Sequence, residues 1–429
     1  MKKILVIFSV WWILAAVEGF GYEAGDIQIH GYISQGYLKS DHNNFIAETE
    51  EGSFQFNETA INFSAYLAPG LRAGMQFLAR DFGNVGNDEV VIDWAYADYQ
   101  WLEQLAFRAG KMRMPLGFYS ETRDIDMTRS TILLPAGVYN ESWRGLFTSL
   151  KGIGIYGDID LNIIGSLSYQ CLAGAIGLEA DSGVMESMND LINTHTDSVD
   201  TDSAYLANLQ WNTPLEGLRL EASTLWTDVE SRLTTKDGQF WRYLTVEAFR
   251  QKTGLTVGYE NLKSSVFDLV GANIYMPIKA FPYTLSAEYT RENLRLTAEY
   301  YELCFEYSFI HQPSSIPLVK DAKFYQEGYY AGIEYRFADW LEMGLYHSEY
   351  YWNKDDKDGE RKSSVYGFPK HAAWTKDTCL SARFDINMNW VFKIEGHMMD
   401  GTAILHRTDN TEGMEKDWFL FAAKVTFSF

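Results

Sequence analysis

The sequence predicts an all-β protein, a transmembrane antiparallel barrel of 16 to 18 strands with an inward-folded constriction loop. Three observations predict the barrel: an export leader, strands with one apolar and one charged face along the whole chain, and an alternating last strand that ends on an aromatic residue.

In the leader, Lys2 and Lys3 precede the apolar run Ile4 to Val17, and small residues follow at Gly19, Gly21, Ala24 and Gly25. A basic start, a short apolar run and a small-residue exit describe a secretory signal peptide. The run is shorter than the roughly 20 residues a helix needs to span a bilayer. We therefore expect residues 1–24 to be a cleaved signal peptide and 25–429 to form the barrel. No later apolar run is long enough for a helical span, so any membrane crossing must use strands closed on themselves.

The first strand begins at Ile27, where Ile27, Ile29, Ile33 and Tyr37 share one face and Gln28, His30 and Ser34 the other. Thr59, Ile61, Phe63 and Ala65 continue the pattern, and after Pro69-Gly70 so do Leu71, Ala73, Met75 and Phe77, which makes a hairpin. Leu218 to Trp226, Leu294 to Tyr300, Leu380 to Ile386 and Trp390 to Ile394 alternate in the same way. In these later strands the second face carries Arg219, Glu221, Arg295, Glu299, Arg383, Asp385, Lys393 and Glu395. A soluble sandwich or propeller could also expose charged strand faces, but the export leader and the lack of any blade-length repeat argue against it.

Short turns are expected near Pro69, Glu103, Asp158, Glu216, Thr253, Glu292, Ala338 and Met388. Longer polar stretches lie at 39–54, 172–202, 306–326, 352–374 and 400–416. Short turns on one rim and long loops on the other are the plan of an outer-membrane barrel; counting between them gives about 18 strands, with 16 as the alternative. Trp101, Trp211, Phe337, Trp340 and Trp390 stand beside short turns, where an aromatic ring suits the membrane interface. Sugar stacking is the minor reading of these rings.

Composition narrows the function. The 429 residues are 46% hydrophobic and 15% aromatic, with a net charge of −22. Such a chain is not disordered, and its acidity excludes the nucleic-acid phosphate backbone as a partner. Three cysteines provide neither a disulfide framework nor a zinc motif, and no cofactor is expected. No GxSxG or HExxH motif occurs, and we expect no enzymatic activity, although Ser and His could still meet across a barrel wall. Gly152-Ile-Gly154-Ile-Tyr-Gly157 matches GxGxxG but opens no helix. Lys354 to Gly359 matches only part of a calcium loop, so loose divalent binding is all it suggests.

Taking the charged face as luminal, the wall carries Arg72, Arg80, Arg108, Arg219, Arg295, Arg336, Arg383, Lys393 and Lys424 against Glu221, Glu247, Glu260, Glu288, Glu299, Glu334, Glu342, Asp385 and Glu395. The sets balance, so the acidic excess belongs to loops and rims. Residues 105–151 are distinctive: after a strand they lose alternation, and basic residues outnumber acidic ones. We expect 114–149 to fold back into the barrel, with its basic residues biasing the narrow point towards anions. Charges at 108, 111 and 113 fall on both parities, which suggests a bulge near Gly110.

The stretch Arg108-Ala-Gly-Lys-Met-Arg-Met-Pro-Leu-Gly-Phe resembles the segment that opens the constriction in the Gram-negative porin superfamily, which includes the phosphate-selective porins. The opening HGYISQGY strand and the last strand resemble it too. The resemblance implies a homotrimeric diffusion channel for small hydrophilic solutes or ions, set among outer-membrane lipid and lipopolysaccharide. It implies constriction residues Arg108, Lys111, Arg113, Glu121, Arg123, Asp124, Asp126, Arg129 and Arg144, and a bend set by Pro115 and Gly117. The loop is poor in lysine, which departs from the phosphate-selective pattern. Terminal Phe429, with Phe427, Val425, Ala423, Phe421 and Phe419 at alternate positions before it, resembles the signal read by the barrel-assembly machinery. The rival expectations are a substrate-specific channel for anions or sugars, and a non-conducting barrel that acts as enzyme or adhesin.

Overall fold

A computed structural model describes residues 27–83, 86–263, 265, 268–312 and 314–429; the expected signal peptide lies outside them. Sixteen strands alternate with turns and loops: β1 (Ile27–Ser40), β2 (Asn57–Ala68), β3 (Leu71–Asp81), β4 (Val91–Leu102), β5 (Leu105–Arg113), β6 (Ser149–Asp160), β7 (Ser166–Ile176) and β8 (Thr194–Asn212), then β9 (Leu218–Thr235), β10 (Asn273–Arg291), β11 (Leu294–Gln312), β12 (Ile316–Ala338), β13 (Leu341–Tyr351), β14 (Trp374–Asp385), β15 (Trp390–Gly401) and β16 (Asp417–Ser428). Each pairs antiparallel with its chain neighbours, and β1 pairs with β16 to close the barrel. Of the two counts, 16 is the one realised.

Period two sets the faces. Ile29, Ile33, Phe107, Ile153, Leu285 and Leu380 are exposed on the outside, whereas Ser34, Ser286, Glu299, Ser381 and Glu395, of opposite parity, are buried. The expected interface rings Trp101, Trp211, Phe337, Trp340 and Trp390 are all exposed and all close to short turns. Gly70 makes one of those turns possible: its φ is +76°, and a Cβ there would lie 2.7 Å from the Gln100 carbonyl. At the closing seam, Gly31 and Phe429 exchange backbone hydrogen bonds of 3.0 Å each.

Several sequence expectations shift. Thr253 ends a helix rather than making a turn, and Asp158 lies inside β6, whose turn comes after Asp160. Residues 306–326 form most of the β11–β12 hairpin tip instead of a long loop. The reason is length. Strands β8 to β12 have 18 to 23 residues, while about 9–11 suffice to cross a bilayer. Their upper halves expose Asp200, Glu230, Lys279 and Lys323 on the outside, so the apolar–polar alternation disappears where the wall leaves the apolar belt.

Among the described residues, the loops at the opposite end from the short turns carry four helices: α1 (Arg144–Phe147), α2 (Gly183–Ile192), α3 (Gln239–Thr253) and α4 (Glu360–Tyr366). Glu247 and Glu260 belong to this loop region and not to the wall. The GxGxxG stretch lies within β6, where Gly152 lets the strands approach: a Cβ there would be 2.7 Å from the Gly174 Cα. The partial calcium motif caps α4 instead, with the Asp356 carboxylate accepting the Arg361 and Lys362 backbone N–H at 2.8 and 2.7 Å. All three cysteines are free.

Candidate pore constriction

The segment 114–148 leaves β5 and returns at β6, but its hydrogen bonds lie on distant strands. Glu299 of β11 accepts from Phe118 N–H at 3.0 Å and Tyr139 Oη at 2.7 Å, as well as from Ser286 and Tyr330 hydroxyls on the wall. Glu334 of β12 accepts from Ser130 N–H at 2.9 Å. Glu395 of β15 accepts from Ile132 and Leu133 N–H at 2.6 and 2.8 Å. Arg383 of β14 donates to the Met127 carbonyl at 2.7 Å, and Arg295 of β11 to the Thr128 carbonyl at 3.4 Å. Every one of these wall residues has the parity opposite to the exposed apolar face, so the segment lies against the polar face of the closed sheet.

Sterics fit this docking. A Cβ on Gly328 of β12 would overlap the Gly137 carbonyl, and one on Gly344 of β13 would overlap Ser130 Oγ. Bare backbone on the wall is what lets the segment approach. Carboxylates are suited to holding it, because an irregular segment presents unpaired N–H groups and an anion accepts several at once.

The arginines are held in ion pairs. Arg113 Nη2 reaches Asp93 at 2.5 Å and Asp124 at 3.2 Å; Arg144 shares Asp124 at 2.5 Å; Arg123 binds Glu141 at 2.6 Å. Arg80 approaches Glu141 at 3.6 Å. A second centre forms at Asp126, with Lys424 at 2.9 Å, Lys393 at 3.5 Å and Arg129 at 3.8 Å, and Lys424 also binds Glu58 at 2.6 Å. Burial by itself would raise the Asp124 and Asp126 carboxyls, but these surrounding cations outweigh it and hold both below the usual carboxylate range. Glu141 is held at about 2 by the same balance, with Arg123, Arg144 and Arg80 opposing its burial. Burial raises the Glu121 carboxyl, against the pull of Arg108 and Arg113.

The other expected residues are distributed around this core. Arg108 pairs with Asp98 at 2.6 Å between the Tyr96 and Tyr156 rings, and Arg72 stands opposite Asp98 in the ladder. Arg219 pairs with Glu288 at 3.0 Å over the Phe118 ring, with Glu221 two residues along β9. Asp385 binds Arg336 at 2.7 Å and Arg383 at 2.8 Å. Lys111 stands apart: it shares the parity of exposed Phe107, and its ammonium bonds the Ile92 carbonyl at 2.5 Å. No bulge occurs at Gly110, where the register runs unbroken on both sides. The irregularity is on β4, opposite Gln76 and Phe77, and it brings Asp93 to Arg113.

The basic excess of 105–151 disappears once its strand residues are separated. Within 114–148, Arg123, Arg129 and Arg144 face Glu121, Asp124, Asp126 and Glu141. Sequence reading missed Glu58, Asp93, Asp98 and Asp377. Glu58 had a usable signal, since it continues the polar parity of β2. Asp93 had none, because the bulge reverses its parity.

Neither the protein-family models nor the curated protein sequences yield a match to this chain. Solved structures do share its fold, and among them are outer-membrane porins and channels. The chain is similar to the outer-membrane channel DcaP of Acinetobacter baumannii, with 10% identity over 96% of this chain and 100% of that one, at TM-score 0.53. It is similar also to the anion-selective porin from Comamonas acidovorans, with 11% identity, 94% and 99% coverage and TM-score 0.53. The trimer form of OmpT from Vibrio cholerae aligns at 9% identity, 94% and 99% coverage and TM-score 0.51.

Proposed function

We propose that this chain is an outer-membrane porin of a Gram-negative bacterium, a passive, non-enzymatic channel for small hydrophilic solutes that is narrowed by the segment 114–148. The observation that carries the reading is the docking of that segment on the polar face of a closed sixteen-strand barrel through Glu299, Glu334 and Glu395. Part-exposed Arg219, Arg295 and Arg336 on the same face near the short turns support a wet path along the wall. Because the segment's arginines are paired with carboxylates, its charge is close to balanced, and weak ion selectivity follows. In this reading the protein is exported with a cleaved signal peptide, is inserted by the barrel-assembly machinery through its Phe429 end, sits among lipopolysaccharide, and forms homotrimers like the OmpT form it resembles.

The test is single-channel conductance of the refolded protein in a planar bilayer, with the reversal potential under a salt gradient. Stepwise conductance in threes with a small reversal potential is expected. Folded barrel without conductance would overturn the reading in favour of an enzyme or adhesin, and saturable block by one solute would favour a substrate-specific channel.

A further inference from the structure

Above the docked segment, the loop helices and the upper ends of the neighbouring strands line a cavity of ≈ 120 Å³ whose walls are mostly apolar and rich in aromatic rings, with Asp190 and His406 also in the lining. Phe240 of α3 stacks on Tyr366 of α4 with ring centroids 5.1 Å apart, and Trp352 meets Tyr366 edge-on at 5.1 Å. Trp143, from the docked segment, lines the cavity as well. A cavity of about 150 Å³ lined by apolar side chains accepts a benzene-sized ring, so a single six-membered ring is the scale of occupant that fits.

One charged group lines this apolar space without an acid of its own. Lys362 of α4 is 4% exposed, and its Nζ lies 3.9 Å from the Trp352 ring centroid and 4.5 Å from that of Phe368. Among the described residues it joins no ion pair. The nearby carboxylates are already engaged: Asp356 caps α4 through backbone N–H groups, and Asp190 binds Arg407 at 3.3 Å. Arg407 in turn covers the Phe368 ring at 3.9 Å. Burial pushes the Lys362 ammonium well below its ordinary value, which is the cost of leaving such a charge without a counterion.

We propose that this cavity binds a small aromatic carboxylate, with the ring among Phe240, Trp352 and Tyr366 and the carboxylate on the Lys362 ammonium. A neutral aromatic would leave the ammonium uncompensated, and a cation would meet it with like charge. An aliphatic acid would pair with the ammonium but leave the ring walls unfilled. Equilibrium binding in this cavity does not depend on whether the barrel conducts.

Isothermal titration of the folded full-length protein in detergent micelles tests it, with sodium benzoate, benzamide and sodium acetate as probes. Saturable benzoate binding is expected, with benzamide and acetate each weaker by about tenfold or more. Lys362→Met keeps the side-chain stem among the rings and should reduce benzoate affinity to that of benzamide, with folding checked by heat-dependent electrophoretic mobility. Benzamide binding as tightly as benzoate, no saturable benzoate binding by the native protein, or unchanged benzoate affinity in folded Lys362→Met would each overturn the proposal. The comparison of the three probes on native protein decides the matter even where the variant does not fold.

Discussion

Glu395 Oε2, on β15, accepts the backbone N–H of Ile132 at 2.6 Å, which joins the barrel wall to a segment that entered from β5. The other carboxylate oxygen takes Leu133 N–H at 2.8 Å and the His397 imidazole at 3.0 Å, while Asp377 holds the far side of that imidazole at 3.0 Å. A single carboxylate thus satisfies two peptide donors and orients a buried histidine.

Replacing that carboxylate tests how the segment is held. Glu395→Ala strands two buried N–H groups and the histidine, at a cost of about 1–3 kcal/mol for each unsatisfied group. Hydrogen exchange at Ile132 and Leu133 should accelerate while the barrel strands stay protected. Unchanged exchange at those two amides would mean that the carboxylate does not hold the segment.

Gly328 tests docking by sterics instead of charge. A side chain there meets the Gly137 carbonyl, so Gly328→Val should lift the segment from β12. Raised protease sensitivity within 114–148, with the heat-dependent mobility of the barrel retained, is the expected result. In the porin reading, the single-channel conductance changes as well.

Asp124 is shared by Arg113 and Arg144. Asp124→Asn leaves both guanidiniums underneutralised and should move the reversal potential towards anion preference. Removing one partner of a buried pair costs roughly 3–5 kcal/mol, so thermal stability of the docked segment should fall in the same variant. A reversal potential equal to that of the native channel would show that this pair lies away from the ion path.

The same carboxyls set a pH dependence. Asp124, Asp126 and Glu141 are held below their unfolded values of about 4 by neighbouring cations. A lowered folded value stabilises docking above the unfolded value, and the contribution is lost as pH falls through the folded one. The contribution of these three carboxyls to docking should therefore be constant from pH 8 to 5, so that Glu121→Gln, which removes the one carboxyl of the segment that burial raises, should show flat exchange over that range after correction for intrinsic rates. Exchange should rise progressively below about pH 4, as the three carboxyls protonate. Loosening of that variant on going upwards from pH 5 would contradict this sign.

Replacing Phe429 tests the proposed assembly role apart from stability. Its backbone closes the barrel on Gly31, and its ring is about half exposed. Phe429→Ala keeps the backbone bonds, so refolding in detergent should match the native protein, whereas the amount recovered from outer membranes of expressing cells should drop. Equal recovery would remove Phe429 from the assembly signal.

Much of this protein could be read from spacing. A barrel strand has one face in an apolar belt and one in a polar interior, so β1, β2, β3, β9, β14, β15 and β16 declared themselves through period two. The wall positions Arg219, Arg295, Glu299, Arg383 and Asp385 followed from the same parity. Where strands rise beyond the apolar belt, as in β11 and β12, both faces are polar, and strand and loop become indistinguishable in sequence.

The sequence by itself determined the all-β barrel, the two faces of its strands and the position of an irregular segment after β5, because each depends on local periodicity. Only the tertiary structure decided the strand number and the neutralisation of that segment's arginines. It also decided that wall residues such as Glu299 and Arg383 act as anchors, and that Lys362 lines an aromatic cavity. The anchors rest on contacts between residues more than a hundred positions apart in the chain, and the arginine pairs on the irregular path that those anchors impose on the segment. Closure of the sheet sets such contacts, and no local pattern encodes them.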